Sequence, residues 1–240
     1  MILDEAIAKY KERNGIEVFR PKAVLFDMDG VLYDSMPRHA RAWKAMCDEA
    51  GIEADENEFY AYEGRTGAST IGILVQRQYG RVATEEECRR LYKRKSEFFA
   101  AGSEAPVMPG AKDAVGTVMA ARALPVLVTG SGQGTLLGRL DSEYPGAFPA
   151  ERRVTAYDVT HGKPDPEPYI KGMMKAGAHA TEAIGVDNAP LGVESASRAG
   201  LFTVGVVTGP LAPGSLLAAG ADIELNSMAE CAAVLRQLLK

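Results

Sequence analysis

The sequence predicts an α/β protein: a doubly wound parallel sheet with an inserted α-helical unit. Three observations carry that expectation. Six short runs, at 23–27, 125–130, 153–158, 182–187, 201–207 and 221–225, are mostly continuously apolar instead of alternating, as strands covered on both faces are. Helical patterns separate the later ones, at 111–122, 132–141, 166–177, 190–199, 212–219 and 227–239, and that alternation belongs to parallel βαβ units. Between Asp34 and Pro106 the rhythm stops, and only helical signatures occur. The expected organisation is an N-terminal helical extension (1–18), an α/β core (19–35 and 103–240) and a helical cap (36–102).

In chain order, "MILDEAIAKYKERNG" places Leu3, Ala6, Ile7 and Tyr10 at helical spacing and stops at Asn14-Gly15. It carries acids and no small-residue cleavage site, so a docking helix is expected and not a signal peptide. "AVLFD" forms the first strand. In the insertion, Trp43, Met46, Cys47 and Ala50 recur helically and end at Gly51. Thr84 and Glu87 have capping-box spacing, followed by Cys88, Leu91, Tyr92, Lys95 and Phe99 on one stripe. "AGSEAPVMPG" (101–110) has the glycines and prolines of a return hinge.

Composition narrows the function. With 240 residues, 46% of them apolar, the chain can bury a full core. A net charge of −5 argues against nucleic-acid binding, which needs clustered basic surface. The densest basic group, Arg89, Arg90, Lys93, Arg94 and Lys95, lies beside Glu85 to Glu87 and reads mainly as a solvated helix face. Cys47, Cys88 and Cys231 show neither disulfide nor zinc spacing, which suits a reducing cytoplasm. No apolar stretch approaches membrane-spanning length. A cytoplasmic monomer with no membrane partner is expected.

Ligands of open α/β sheets bind outside the carboxyl ends of the strands. Asp27 and Asp29 close the first strand, and Thr129, Gly130 and Ser131 close the second. Lys163 lies in the loop after the third, and Asp187 with Asn188 closes the fourth. Clustered oxygens of this kind suit Mg²⁺ held by carboxylates and substrate phosphate, while a hydroxyl and a lysine complement the remaining phosphoryl oxygens. One carboxylate in line with phosphorus can be a nucleophile, and another two residues on can move a proton. A strand-terminating turn also explains Asp27-Met28-Asp29-Gly30, but a turn does not require both acids. Thr129 and Lys163, each alone, are ordinary strand-end residues.

In this order the residues resemble the haloacid dehalogenase-like superfamily of phosphotransferases. "DMDGVLYDS" matches its first motif, "LVTGS" its second, "KPDPEPY" its third and "VDNAPLGV" its fourth. The resemblance spans residues 20–240 and includes the insertion. It implies that Asp27 attacks phosphorus and that Asp29 moves the proton, its backbone carbonyl binding Mg²⁺. It also implies that Thr129 and Lys163 hold the transferring phosphate. The fourth motif departs from the usual Glu-Asp-Ser-Pro-x-Gly-Val. Aligned on Pro190, Gly192 and Val193, it puts Asp187 at the Glu and the uncharged Asn188 at the metal-binding Asp; a slipped register would make Asp187 the ligand.

"DSMPRHARAWKAM" resembles the start of the β-phosphoglucomutase-like cap, with Ser35, His39 and Trp43 in matching places. The mutases carry a lysine before a glycine on the substrate-facing cap loop, where this chain has Glu63 before Gly64. Glu63 could supply the charge that Asn188 lacks, by reaching the metal; a solvated loop glutamate is the plainer reading. Lys95 could likewise reach the cleft, or simply snorkel past apolar neighbours. Met28, Gly130, Ser131, His39 and Arg65 complete the expected substrate side, with Thr66 a lesser candidate. His161 and His179 read as surface residues. "EGRTGAST", "VTGSGQ" and "NAPLGVE" also resemble a narrower branch that includes an inorganic pyrophosphatase. Hydrolysis of pyrophosphate or a small phosphate ester is therefore the first expectation, and a β-phosphoglucomutase the alternative. A haloacid dehalogenase has no use for Asp29, and the long insertion disfavours a phospho-accepting signalling receiver.

Overall fold

A computed structural model of the chain describes residues 3–132 and 134–240. Six strands appear among them: β1 (Ala23–Phe26), β2 (Leu124–Val128), β3 (Arg153–Val154), β4 (Ala183–Asp187), β5 (Phe202–Val206) and β6 (Ile223–Leu225). They form one parallel sheet in the order β3-β2-β1-β4-β5-β6. The chain leaves β1 toward β2 on one side and later returns to β4 on the other. The order reverses beside β1, and a ligand crevice opens at such a point. Phe26 lies level with Leu127 and Val186, so the residues that follow all three strands emerge together.

The apolar run of β1 is continuous because both of its faces are covered. Val24 and Phe26 enter one core with Val115, Val118 and Leu235, while Leu25 enters a second with Val126, Val128, Tyr169 and Met173. Helix α1 (Leu3–Asn14) docks on the first of these. Its Tyr10 is fully buried, donates from its hydroxyl to the carbonyls of Ala180 and Gly200, and meets the rings of Phe19 and Phe202. Arg13 pairs with Asp222 at 3.0 Å. The chain start is therefore stitched to the β4 and β5 side of the sheet.

Four helices follow β1: α2 (Met36–Ala50), α3 (Glu58–Ala61), α4 (Gly67–Tyr79) and α5 (Glu85–Ala101). They share an apolar core of their own, built from Trp43, Met46, Cys47, Phe59, Ile71, Leu74 and Leu91. Helix α5 starts on the expected capping box, in which the Thr84 hydroxyl accepts from Glu87 N and the Glu87 carboxylate accepts from Thr84 N. The two chain crossings to the sheet are zipped together. Tyr33 bridges to Val107, and Asp34 N donates to the Pro106 carbonyl at 2.9 Å.

The remaining helices are α6 (Ala111–Ala120), α7 (Gly134–Leu137), α8 (Leu140–Glu143), α9 (Glu167–Ala176), α10 (Pro190–Arg198), α11 (Ser215–Ala218) and α12 (Met228–Leu238). Several elements are shorter than the sequence predicts, three of them markedly. The third strand stops at Val154 because the Asp158 carboxylate takes the Thr155 N–H and hydroxyl into a turn. The helix expected over 132–141 is split between Leu137 and Leu140. The helix expected over 212–219 begins only at Ser215, after the left-handed Gly214. No helix among the described residues is long and apolar enough to cross a membrane.

Candidate active site

The site forms where β1 ends. Asp27 N donates to the Val186 carbonyl at 3.0 Å, which fixes the first carboxylate beside β4, and the chain then turns through Gly30 at φ +77°. A side chain at Gly30 would collide with the Asn188 amide, because its Cβ would lie 2.0 Å from Nδ2. The glycine thus serves both the left-handed turn and the close approach of Asn188.

Lys163 lies under this turn with its side chain fully buried. Its Nζ donates to Asp27 Oδ1 at 2.6 Å and to Asp187 Oδ2 at 2.7 Å. Asp187 also accepts from the Tyr169 hydroxyl (2.6 Å) and from Ala189 N (3.0 Å). Burial and the Asp187 and Asp29 charges push the Asp27 carboxyl up to about 7, against the pull of Lys163. Burial works against the Lys163 ammonium, but the two carboxylates outweigh it and hold its pKa above that of an ordinary lysine.

Asp29 has a different set of partners. Its Oδ1 accepts from the Ser35 hydroxyl at 2.5 Å and meets His39 Nε2 at 2.8 Å. His39 Nδ1 lies 2.6 Å from Lys95 Nζ, so donation from Lys95 leaves Nε2–H to face Asp29. Lys95 is 2% exposed and sits among the rings of Trp43, Tyr92 and Phe99. Burial lowers its pKa to about 7 despite Asp29, and burial followed by Lys95 lowers that of His39. Burial pushes Asp29 up, but His39, Ser35 and Lys95 together hold it below the usual carboxylate value. Two acids two residues apart are thus pushed in opposite directions by different neighbours.

Glu63 comes from the loop before α4. Its Oε1 accepts from Asn188 Nδ2 at 2.8 Å, while Asn188 Oδ1 is buried with no hydrogen-bond partner. Burial, then Asp27, Asp187 and Asp29, drive Glu63 well above its ordinary pKa, with only the Asn188 amide opposing. Excess acid and an orphaned amide oxygen fit a hard cation that takes oxygen ligands. Asp27, Asn188 Oδ1, the Asp29 main chain and Glu63 are the groups that could hold it. Among the described residues no three His, Cys, Asp or Glu side chains form a ligand cluster by themselves, which leaves the amide and main-chain oxygens essential to any such set.

A cavity of about 50 Å³ is lined by Asp27, Asp29, His39, Glu63, Arg65, Lys95, Thr129, Gly130 and Ser131, all of them expected from the sequence. Thr129 is buried, and its hydroxyl accepts from Ser131 N at 3.0 Å. Gly130 lets the loop before α4 close down, since a Cβ there would lie 2.4 Å from the Gly64 carbonyl. Arg65 donates to Ser69, and Thr66 caps α4. Two expectations are corrected. Met28 is fully buried in the apolar core, so its side chain does not face substrate. Asp187 spends its carboxylate on Lys163, Tyr169 and Ala189, which leaves Asn188 Oδ1 as the side-chain oxygen of this pair without a partner. His161 and His179 are exposed.

Sequence reasoning missed Tyr169, the ring wall of Phe59 and Tyr62, and the place of Tyr92 in the cavity. Tyr92 could have been found, because it precedes Lys95 by three residues on one helix face. Its hydroxyl accepts from Gly132 N at 3.1 Å, tying α5 to the loop after β2.

Known proteins resemble this chain in sequence and fold. The chain is similar to a Bacteroides vulgatus protein described as a candidate β-phosphoglucomutase, with 44% identity and a TM-score of 0.94 over 99% of this chain and 98% of that one. It is 29% identical to the validoxylamine A 7′-phosphate phosphatase of Streptomyces hygroscopicus subsp. limoneus, over 78% of this chain and 86% of that protein. It is 26% identical to a phosphorylated carbohydrates phosphatase of Thermotoga maritima, over 91% of this chain and 100% of that protein. The sequence profile of the haloacid dehalogenase-like hydrolases matches residues 21–200, a span that contains all four motifs in full. By sequence and by fold, the chain belongs to the haloacid dehalogenase-like hydrolase family.

Proposed function

We propose that the protein is a Mg²⁺-dependent phosphohydrolase that works through an aspartyl phosphate on Asp27, with pyrophosphate or a small phosphate ester as substrate. The observation that carries the reading is the division of labour between Asp27, held by Lys163, and Asp29, held by Ser35 and His39, on the wall of one small cavity. Asp27 Oδ attacks phosphorus as the bond to the leaving oxygen breaks, and Asp29, having taken up a proton as the anionic substrate binds beside it, gives that oxygen the proton. In the second half Asp29 takes a proton from water, the water oxygen bonds to phosphorus, and the bond to Asp27 breaks. Thr129 and Lys163 receive the charge on the non-bridging oxygens. Bound magnesium neutralises charge, so that carboxylate and anion can approach. The helices of residues 36–102 act as the cap that keeps bulk water away. Three unpaired cysteines suit a reducing compartment.

The finer choice of substrate rests on Glu63 and on space. A carboxylate on the substrate-facing loop opposes a second anionic group unless a metal lies between them. The cavity of about 50 Å³ is far below the several hundred Å³ that larger ligands fill. A sugar-phosphate activity is the second reading, favoured by the carbohydrate phosphatases and the β-phosphoglucomutase-like protein among the relatives. Phosphate release from pyrophosphate, β-glucose 1-phosphate and glucose 6-phosphate, with and without chelator, tests both. Chelator-sensitive multiple turnover of pyrophosphate is expected; interconversion of the two glucose phosphates with little phosphate released would replace it with the mutase.

A further inference from the structure

Tyr169 is not part of the mechanism above, yet it is fully buried on α9 and its hydroxyl lies 2.6 Å from Asp187 Oδ2. The same oxygen accepts from Lys163 Nζ, while Oδ1 is taken by Ala189 N. Lys163 Nζ is also 5.2 Å from the centre of the Tyr169 ring. Burial and the nearby Asp187 and Asp27 charges keep the phenol protonated, so toward Asp187 it acts as a donor. A single buried carboxylate oxygen therefore serves two strong donors, one of which is also bonded to the nucleophile.

We propose that Tyr169 is a positioning residue for phosphoryl transfer: by donating to Asp187 it divides the charge on Oδ2, which leaves Lys163 free to move from Asp27 to the phosphoryl oxygens. The proposal rests on the phosphohydrolase reading for its chemistry but concerns a residue that touches neither substrate nor metal. Without the hydroxyl, Lys163 becomes the lone side-chain donor to Oδ2 and is drawn toward Asp187. Charge-assisted hydrogen bonds are the strong ones, and a shared acceptor weakens each. The loss should be felt where charge builds on the transferring group, and less in substrate binding.

Tyr169→Phe tests this in the full chain with Mg²⁺ present. We expect kcat to fall roughly tenfold with KM within about twofold, as for the loss of one buried hydrogen bond to a charged group. Orthovanadate, which mimics the five-coordinate phosphorus, should bind more weakly by a similar factor, read from the fluorescence of Trp43, the single tryptophan, on the cavity wall. In the Asp187→Asn background the same substitution should cost less than about twofold, because the carboxylate charge that Tyr169 divides is gone. A merely structural role would lower the melting temperature and leave kcat per folded molecule and vanadate affinity alone. That result, or fully multiplicative losses in the double variant, would overturn the proposal. A wild-type protein silent on every phosphate tested would remove the phosphohydrolase reading, whereas the vanadate comparison judges Tyr169 by itself.

Discussion

Asn188 and Glu63 join the sheet to the inserted helices through one hydrogen bond of 2.8 Å, from Nδ2 to Oε1, and the other end of the same amide has no partner. An aspartate at this position would face Glu63 as a like charge; the amide lets the two meet. Glu63 from the inserted helices therefore stands beside the uncharged Asn188, where its carboxylate could serve a cation as a fourth oxygen donor.

Removing that donor should hurt most where the substrate is most anionic. Glu63→Ala is expected to slow pyrophosphate hydrolysis roughly 10–100-fold, the usual range for loss of a group supporting a metal, and to slow aryl phosphate hydrolysis less. Steady-state rates on the two substrates decide it, and equal losses would dispose of the cap carboxylate.

Asp27→Asn should abolish turnover, by roughly 10³-fold or more, since an amide cannot accept the phosphoryl group. The fold should survive, because the burial that pushes Asp27 up to about 7 makes its charge a burden in the metal-free protein. Equal or higher melting temperature at pH 7 without metal, together with retained Mg²⁺-dependent phosphate binding, is the expected outcome. Near-native rates would refute the nucleophile.

Lys95 should leave a mark on stability against pH. Its pKa is about 7 folded and 10.5 as an ordinary lysine. Between those values the unfolded chain binds the extra proton, so stability rises with pH across that window, by at most about 1.4 kcal/mol per unit, and the full burial penalty applies below it. His39, Asp29, Trp43, Tyr92 and Phe99 surround the amine. Urea unfolding of the wild type minus that of Lys95→Met should therefore climb between pH 7 and pH 10; a flat difference would mean that the lysine stays charged.

The docked N-terminal helix makes its own prediction. Tyr10→Ala removes a fully buried ring and a donor to two carbonyls, and should cost about 3–5 kcal/mol, as large aromatic truncations do. Activity per folded molecule should not change. Denaturant titration beside a rate assay separates the two.

The sheet was legible because β1, β4 and β5 are apolar on both faces, and because strand order decides which residues share an edge. That is why Asp27, Thr129 and Asp187 could be placed together from the sequence. The contact between Lys95 and His39 joins residues 56 apart on different helices, and helix packing angles are not written in periodicity. Tyr169 stands within "KPDPEPY", but its ring lies in the second core with Met173, and only its hydroxyl turns to Asp187, a contact that the spacing does not reveal. The third strand looked longer than it is because an Asp four positions beyond Val154 competes for the backbone.

The inserted helices build a core largely their own, with Ala42 and Phe99 joining that of the sheet, and are tethered by two adjacent crossings zipped at Tyr33 and Val107. The floor of the cavity is thus built by one packing unit and its ceiling by another. A substitution in the ceiling can re-cut the cavity while the strands beneath keep their packing, although Glu63 is answered directly by Asn188 at the end of β4. Such an arrangement allows a lineage to inherit its reaction while its choice of substrate drifts.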